Sequence, residues 1–406
     1  MDEALRSLVR PVRLIAAGGT IAMSGPRAVP ALNAAGLIEA LPELALVPRL
    51  AAENVLSLPG PQISLAQALT LILRAGAAAS GGEGVVVTTG TDTLEELAML
   101  AALTYGGEAP IVFTGANRPA SRPGADGPAN LLDAVAVAGA AQAAGLGVLA
   151  VFGGEIHAGT TVRKVDSTGP AAFGSPTAGP LGRVVQGRVW LHARPLRPDP
   201  LAVAALDARV AIVTATLGDD GQMLRAAIEA GDGVVVVGFG AGHVTPGMLA
   251  AIRIATVPVL ITGRPERAQM LFSTYGFEGS EADLRDAGAI PVPFLSAAAA
   301  RMALLACLGA GLTGPALAAA LGRWDAGALA SPNGPAPSTF SAACAHLDCR
   351  VRSRWWRPSP RSGSRSRDAG RRRPTAPLTS PASRSPRVPR CSRRCAAATA
   401  GPTPTA

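Results

Sequence analysis

Two short segments rich in threonine and glycine follow predicted β-strands, and each carries a hydroxyl that could attack a carbonyl carbon. The first is GGTIA at residues 18–22, where glycines let the backbone turn tightly and leave the Thr20 hydroxyl on a loop. The second is TTGTDTLEE at residues 88–96, which contains Thr91 and Asp92. A threonine hydroxyl is a poor nucleophile until an adjacent base removes its proton, so this chemistry requires a base nearby.

Lys164 is the candidate base, because it is the only lysine among the 37 lysine and arginine residues of the chain. Arginine stays protonated at physiological pH, whereas a buried lysine can lose its proton and act as a base. A single lysine in an arginine-rich chain therefore indicates a need for an amine, with chance composition as the alternative. A neutral Lys164 beside Thr91, oriented by Asp92, could activate the hydroxyl, and backbone N–H groups at the glycine turns could hold the oxyanion.

A purely structural role is also open to part of the second segment. Thr93, or Asp92 itself, could cap the helix that follows, with Glu95 and Glu96 in its first turn. Capping accounts for one of these residues but not for Thr91, Asp92 and Thr93 together.

The elements that must position these residues alternate between apolar strands and Ala- and Leu-rich helices. Strands are predicted at residues 13–16, 85–88, 111–113, 148–152, 210–214, 234–238 and 259–262, and helices at 65–79, 94–104, 129–144, 222–230, 298–310 and 315–321. Nearly continuous apolar strands separated by helices predict a parallel sheet covered on both faces. Ligands bind beyond the carboxyl ends of such strands, where both threonine segments lie.

The predicted fold class is α/β, with two domains whose sheets are largely parallel. A larger N-terminal domain at residues 1–190 carries the threonines, and a linker at 191–208 leads to a smaller C-terminal domain at 209–330. Residues 331–406 are rich in Arg, Pro and Ser and are predicted to be a disordered basic tail. The tail is interpreted as either a nucleic-acid-binding arm or an out-of-frame extension, and the second is favoured because basic runs are weak signals.

The charge of the chain argues against nucleic-acid binding by the folded body. The formal net charge is +9, but residues 333–406 carry fifteen arginines against Asp348 and Asp368, so the remainder is slightly negative. The apolar stretch 131–152 is interrupted by Asp133 and by glycines, which predicts a helix, a turn and a strand rather than a membrane span.

Location and cofactors are also bounded by the sequence. No secretory signal, phosphate-binding loop, dinucleotide fingerprint or metal-ligand cluster is visible, and the cysteine spacings match no zinc pattern. We therefore expect a soluble cytoplasmic protein with no cofactor and no metal.

Several motifs follow one another in a fixed order, and together they are highly specific. They are GGTIA, TTGTDTLEE, TGANRP at 114–119, GADGPANL at 124–131, TTVRKVDSTGPAAF at 160–173, AGPLG at 178–182, GFGAGHVTP at 238–246 and STYGFEGSEADL at 273–284. Over roughly residues 11–327 the chain resembles the bacterial-type L-asparaginase/glutaminase family of amidohydrolases.

The resemblance implies roles for individual residues. Thr20 would be the nucleophile, forming a covalent β-acyl-threonine as ammonia leaves. Thr91, Asp92 and Lys164 would form a second catalytic group in which Thr91 activates or positions the attacking water. Asp92 would also bind the α-ammonium group of the substrate.

The resemblance further implies substrate contacts and an assembly. Gly90, Gln62 and Ala116 would join Thr91 and Asp92 in binding the substrate, with the Ala116 backbone meeting the scissile amide. The family works as a homotetramer, a dimer of dimers, with active sites at an intimate dimer interface. His243 falls where a residue of the neighbouring subunit approaches the site.

The chain departs from the family pattern at two places. The lid after GGTIA, here residues 23–34, has no tyrosine, and the chain contains only Tyr105 and Tyr275. Activation of Thr20 would then rely on Lys164, a water or another group such as Tyr275. Pro61 replaces the serine that holds the substrate α-carboxylate, and proline has neither hydroxyl nor N–H. Ser64 or backbone amides would have to hold it instead.

Other polar residues are given structural or uncertain roles. His157 is predicted to form a structural hydrogen bond. Arg118, Asp126 and Asn130 are predicted to fix a loop through ion pairs and caps. Glu278 and Glu281 could supply an acid that some members take from a neighbouring subunit.

The predicted function is an L-asparaginase that converts L-asparagine to L-aspartate and ammonia through an acyl-threonine. One alternative is a related amidohydrolase that prefers glutamine or another amide. Another is a catalytically impaired binding protein on the same scaffold, and a third is a nonfunctional product whose reading frame changed near residue 331. Retention of Thr20, Thr91, Asp92 and Lys164 argues against the scaffold alternative.

Overall fold

The computed structural model describes residues 2–25, 29–271 and 274–325 of the chain. The predicted disordered tail at 331–406 lies outside the described residues. The helices in the described ranges are α1 (Asp2–Arg6), α2 (Ala34–Glu39), α3 (Leu65–Ser80), α4 (Leu94–Thr104), α5 (Gly127–Gly139), α6 (Gln222–Ala230), α7 (Pro246–Arg253), α8 (Glu281–Asp286), α9 (Ala297–Gly309) and α10 (Gly314–Asp325).

The strands form one larger and one smaller sheet, beside two short ladders of two residues per strand. The larger sheet holds β1 (Val12–Gly18), β2 (Leu50–Leu58), β3 (Gly84–Thr88), β4 (Ile111–Thr114), β5 (Val148–Phe152), β6 (Glu155–Ala158), β7 (Gly182–Val185) and β8 (Arg188–Leu191). Its order is β8-β7-β6-β5-β4-β3-β1-β2, parallel from β5 to β2 and antiparallel from β5 to β8.

The smaller sheet holds β9 (Val210–Thr214), β10 (Gly233–Gly238), β11 (Val259–Gly263) and β12 (Ile290–Pro291), all parallel and in that order. The predicted α/β fold with two largely parallel sheets is confirmed. The domain boundaries remain predictions.

The order of the strands reverses its direction at the ends of β1 and β3. The connection that leaves β1 leads to β2 on one side, and the connection that leaves β3 leads to β4 on the other side. In open α/β sheets such a reversal of direction is where ligands bind, because the loops diverge and leave a gap. The register pairs Ala16 of β1 with Thr88 of β3, so the two threonine segments leave the sheet at the same edge.

Helices cover both faces of the larger sheet, as the apolar strands predicted. Ile15 and Ala17 of β1 belong to a buried cluster with α3 and α4, whereas Leu14 and Ala16 belong to a second cluster with α5. This alternation follows from the two-residue period of a strand. Burial on both faces holds β1, and therefore Thr20, in a fixed position.

The first buried cluster continues into the C-terminal sheet. It contains Leu100 of α4, Leu304 of α9 and Val235 of β10, and α4 packs against α9. The helix that begins just after Thr91 and Asp92 is therefore held by a core that both sheets share.

Some elements escaped prediction. The strand β2 was missed because none of its positions is buried and its sequence includes Glu53 and Asn54. The hairpins β5–β6 and β7–β8, which extend the sheet with antiparallel strands, were also missed. The stretch 131–152 does form a helix and the strand β5, as predicted. Among the described residues no helix is both long and apolar enough to cross a membrane.

Asp325, at the end of α10, provides a test of stability against pH. Its Oδ1 accepts the N–H groups of Phe294 and Leu295 at 2.8 and 3.1 Å, and burial raises its pKa to about 7 despite these two bonds. A raised pKa means that the charged form destabilises the fold, by about 4 kcal/mol at most, and that stability falls as pH rises from about 4 through about 7. We expect Asp325→Asn, which keeps an acceptor, to gain stability relative to the wild type as pH rises from 5 to 8.

Urea unfolding of both chains at several pH values measures this difference. A difference between the two that does not change with pH would show that Asp325 does not titrate in this range.

Candidate active site

Three of the predicted catalytic side chains meet in one hydrogen-bonded group. The Nζ of Lys164 donates to Oγ1 of Thr91 at 2.9 Å and to Oδ1 of Asp92 at 2.7 Å. Thr91 is buried, the Lys164 side chain is 20% exposed, and the Asp92 side chain is 62% exposed. The carboxylate therefore lies on the solvent side of the group, where a cationic substrate group can reach it, and the amine contacts the hydroxyl behind it.

The loop of Thr20 packs closely against the loop of Thr91 through their backbones. It begins a short 3₁₀ turn, Thr20–Ala22, directly after Gly18 and Gly19, whose φ angles of 94° and 81° disfavour any other residue. A Cβ at Gly19 would collide with the backbone of Gly90, and one at Gly18 would collide with Leu58. The nucleophile candidate and Thr91 each follow one of the two glycines that touch, Gly19 and Gly90.

Gly60 completes the same contact. A Cβ on Gly90 would lie 2.9 Å from the nitrogen of Gly60, and a Cβ on Gly60 would lie 2.7 Å from Oγ1 of Thr93. Three loops thus meet at three glycines, and the residue after Gly60 in sequence is Pro61. Gln62 follows, exposed, at the end of the short turn Gly60–Gln62. These contacts bring the predicted substrate-binding segments 60–62 and 90–92 together.

The glycine turns do not all offer free donors for an oxyanion. The N–H of Gly19 is bonded to the Leu58 carbonyl at 3.1 Å, and that of Thr89 is bonded to the Thr114 carbonyl at 3.0 Å. These two groups stabilise the junction between loops, so the expectation that the glycine turns hold an oxyanion does not apply to Gly19.

Ser64 is not the replacement receptor for an α-carboxylate that the sequence suggested. Its hydroxyl accepts the N–H of Gln67 at 3.3 Å and donates to the Gln67 side chain at 3.0 Å, forming a capping box at the start of α3. Both hydrogen-bonding roles of the hydroxyl are used for the helix.

The helix cap at Thr93 takes an unexpected form. Thr93 does occupy the position before α4, but its side chain makes no capping bond, and its buried Oγ1 has no hydrogen-bond partner among the described residues. Its hydroxyl instead lies against Gly60. Capping therefore explains neither Asp92, which binds Lys164, nor the choice of threonine at 93.

Glu95 was missed as part of the site. Its Oε2 accepts the backbone N–H of Lys164 at 2.8 Å, so the segment that binds the amine of Lys164 also binds its main chain. Burial raises the pKa of Glu95, which the Lys164 N–H and the nearby Arg163 oppose. The sequence motif contains Glu95, but nothing in the sequence indicates that it contacts the main chain of Lys164, 69 positions later.

A short β-ladder also fixes the main chain of Lys164. The short strand Arg163–Lys164 pairs with Phe173–Gly174, with Lys164 opposite Phe173, and the Phe173 ring lies 4.9 Å from that of Phe152 on β5. The lysine segment is thereby attached to the sheet.

Ala116 lies in a loop that is fixed by a half-buried carboxylate, that of Asp126. Asp126 accepts the N–H groups of Asn117 and Arg118 at 3.0 and 2.8 Å, and Asn130 donates to Gly115 at 3.0 Å. The predicted loop-fixing role of these residues is confirmed, but the predicted ion pair is wrong: Asp126 binds the backbone of Arg118, and the guanidinium of Arg118 reaches the Gly124 carbonyl at 3.5 Å. Ala116 itself is buried.

The lid region is described at both ends, residues 23–25 and 29–34. Met23–Ser24 pairs with Val29–Pro30 in a two-residue antiparallel ladder, and the N–H groups of Ala31 and Leu32 bond to the Ala22 carbonyl. Gly25 accepts a long hydrogen bond of 3.4 Å from the Ser121 hydroxyl. The described part of the lid is thus a small hairpin whose base adjoins the turn of Thr20.

His243, which was predicted to approach the site of a neighbouring subunit, belongs to a small aromatic group. His243 lies edge-on to Tyr275 and Phe277, with ring centroids 5.1 and 4.9 Å apart, and its Nε2 is 3.1 Å from Oε2 of Glu281. Tyr275 and Phe277 are about half exposed. The structure does not bring Tyr275 into the hydrogen bonds described for Thr91, Asp92 and Lys164.

Glu281 is a structural carboxylate rather than an available acid. It is buried and accepts the N–H groups of Thr274 and Tyr275 at 2.6 and 2.7 Å. Burial would raise its pKa, but these N–H groups, its own, and His243 together lower it. Its acceptor capacity is used to fix the 274–281 loop, whereas Glu278 is exposed.

His157 has the structural role predicted for it. It is fully buried, its Nδ1 is 3.1 Å from the Ser175 hydroxyl, and Glu155 approaches its Nε2 at 3.5 Å. Burial lowers the pKa of His157, which favours the neutral ring.

Within residues 2–25, 29–271 and 274–325, no group of three or more His, Cys, Asp or Glu residues could hold a metal ion. An amine, a buried hydroxyl and an exposed carboxylate, with a second hydroxyl on the adjoining loop, are suited to acyl transfer from an amide to a threonine.

Comparison with known proteins identifies both halves of the chain. Residues 11–197 match the family model described as Asparaginase, N-terminal, and residues 209–321 match the Glutaminase/Asparaginase C-terminal domain.

Individual relatives agree with the family models. The chain is 38% identical over 306 residues to a probable L-asparaginase of Deinococcus radiodurans, over 73% of this chain and 92% of that protein. It is 33% identical over 315 residues to an L-asparaginase of Bacillus licheniformis, over 74% of this chain and 95% of the relative. A probable cytoplasmic L-asparaginase from Campylobacter jejuni has a similar solved structure, with a TM-score of 0.67, 28% identity, and coverage of 74% of this chain and 95% of that one.

Proposed function

The chain belongs to the asparaginase family, and from this premise we propose that it is an L-asparaginase, an amidohydrolase that converts L-asparagine to L-aspartate and ammonia. The observation that carries the proposal is the bonded group of Lys164 Nζ, Thr91 Oγ1 and Asp92 Oδ1, next to the loop of Thr20. The relatives named as L-asparaginases support the substrate, and the geometry supports the chemistry.

The reaction proceeds in two acyl transfers. In the first, Oγ1 of Thr20 bonds to the side-chain amide carbon, the C–N bond breaks, and the hydroxyl proton leaves with the ammonia. In the second, water adds to the acyl carbon, the ester bond to Thr20 breaks, and the threonine oxygen recovers a proton as L-aspartate leaves. Lys164 accepts the proton of the attacking group through Thr91, a role that an amine can fill and a guanidinium cannot.

The substrate is held by groups on three loops. The exposed carboxylate of Asp92 binds the α-ammonium group as a charge-assisted pair. Gln62 and the backbone of Gly90 lie on the loops that meet beside it, and the Ala116 backbone faces the scissile amide. Because the Asp92 carboxylate also binds Lys164, substrate binding and the catalytic amine share one residue.

Pro61 is expected to weaken binding of the substrate α-carboxylate. We expect Pro61→Ser to lower KM for L-asparagine about tenfold with little change in kcat, because a hydrogen bond to a charged group contributes about 1.5–3 kcal/mol. Steady-state kinetics measure the change, and Pro61→Ala is the matched control, since it removes the ring without adding a hydroxyl. An equal response of the two variants would show that the added hydroxyl does not meet the carboxylate.

Ammonia release from L-asparagine and from L-glutamine by the full chain tests the proposed function. Turnover of L-asparagine supports it. A clear preference for L-glutamine would favour the related amidohydrolase, and binding of either amino acid without turnover would favour the impaired scaffold.

The proposed assembly is a homotetramer in the cytoplasm. The family resemblance supports a dimer of dimers in which His243 approaches the site of a neighbouring subunit, and the Campylobacter relative is described as cytoplasmic. Light scattering of the purified chain measures the assembly, and fractionation of cells measures the location. A monomer with full activity would exclude any need for a neighbouring subunit.

A further inference from the structure

One short segment, residues 91–95, contacts both the side-chain amine and the backbone N–H of Lys164. Thr91 and Asp92 accept from its side-chain amine, and Glu95 accepts from its backbone N–H at 2.8 Å. The segment contains the end of the β3 loop and the first turn of α4, so this one piece of chain contacts both the amine and the main chain of the lysine.

The backbone contact has a geometric reason. In the ladder between Arg163–Lys164 and Phe173–Gly174, Val165 donates its N–H to Ala172 at 2.8 Å, whereas the N–H of Lys164 points away from the ladder toward α4. Without Glu95 that N–H would lose its acceptor. The lysine main chain could then move away from α4, and the amine from Thr91.

Glu95 and Glu96 form a matched pair, because comparing them separates the contact with Lys164 from the general effect of removing a carboxylate from the first turn of α4. Both are partly buried in the first turn of α4, and burial raises the pKa of each. Glu96, however, lies 3.7 Å from Arg301 on α9, and it is not part of the contacts of Lys164. Only Glu95 connects the helix to the lysine.

We propose that Glu95 is a positioning residue that fixes the main chain of Lys164 so that its amine meets Thr91 and Asp92. The proposal rests on the proposed function for its kinetic consequence. Its structural part, the dependence of Lys164 on Glu95, can be measured without any turnover.

The kinetic experiment compares substitutions at 95 and 96 in the full chain. We expect Glu95→Ala to lower kcat for L-asparagine about 10- to 100-fold with KM changed less than threefold, because displacement of a catalytic group by about 1 Å has effects of this size. Glu95→Gln keeps a carbonyl oxygen that can accept the same N–H and should recover most of kcat. Glu96→Ala should stay within about twofold of the wild type in kcat.

The structural experiment uses the fact that Lys164 is the only lysine. Labelling with ¹⁵N-lysine gives one backbone amide signal, and that amide is the donor to Glu95. In the wild type its chemical shift should follow the titration of Glu95 at acidic pH, and Glu95→Gln should abolish this dependence while Glu96→Gln retains it. A merely structural loss of stability would not produce this pattern.

The outcomes separate the two proposals. An unchanged kcat in Glu95→Ala, or an amide signal that ignores both the variant and pH, overturns the positioning role. If the wild type releases no ammonia while the amide signal behaves as expected, the positioning of Lys164 stands and the proposed asparaginase activity fails. If Glu95→Ala does not fold, the wild-type titration and Glu95→Gln still decide the question.

Discussion

Replacement of Thr20 by alanine is expected to lower the turnover of L-asparagine by about 10³-fold or more, because it removes the hydroxyl that we propose as the acyl acceptor. Thr20 is partly exposed at the start of a 3₁₀ turn. Its loop is fixed by Gly18 and Gly19 rather than by its own side chain. The variant should therefore fold normally, with a free energy of unfolding within about 1 kcal/mol of the wild type.

Ammonia release and urea unfolding measure the two quantities, and Thr20→Ser is the matched control. Serine keeps a hydroxyl and should retain measurable activity. Rapid quenching of the wild type during turnover, followed by mass spectrometry, should find an aspartyl group on the peptide that contains Thr20. An alanine variant with more than a tenth of wild-type turnover would exclude Thr20 as the nucleophile.

Replacement of Lys164 by arginine is expected to lower kcat about 10²- to 10⁴-fold although the positive charge is kept. A guanidinium can still donate to Thr91 and Asp92, but it cannot give up a proton to become a base. If charge alone mattered at this position, the arginine that the chain uses everywhere else would serve.

A variant with the two neighbouring cations exchanged, Arg163→Lys with Lys164→Arg, is a control of identical composition. Neighbouring residues of a strand point to opposite sides, so the amine should then face away from Thr91, and activity should stay as low as in Lys164→Arg. Full activity of Lys164→Arg in the ammonia assay would show that the amine of Lys164 is not a base.

The fold was predictable where the local pattern and the final environment agree. β1 and β3 are nearly continuous apolar runs, interrupted in β1 by the half-buried Arg13, because helices cover both faces of the sheet. That burial is visible in their composition. β2 was missed because it is an edge strand with no buried position, and because the polar Glu53 and Asn54 make its sequence unlike that of a buried strand, although it pairs with β1. Long-range pairing of a half-exposed strand is set by its neighbours rather than by its own sequence.

The candidate site was predictable in residue type but not in all of its contacts. Thr91, Asp92 and Lys164 meet as predicted, although Thr91 and Lys164 are 73 positions apart in the sequence. Ser64 looked free in sequence, yet the Gln67 three residues later uses its hydroxyl for a capping box, a signature that could have been read from the sequence. Glu95 could not have been assigned, because its acceptor role depends on the fold that brings α4 to the lysine ladder.

The single lysine has a practical consequence for coupling this protein to surfaces or polymers. Reagents directed at amines, such as activated esters and dialdehydes, meet only one side-chain amine in the chain, and it is the one bonded to Thr91 and Asp92. We therefore expect attachment through lysine to inactivate the protein. A lysine in place of the exposed Arg188, on the edge strand β8 and remote in the sheet from β1 and β3, would give such reagents a harmless target.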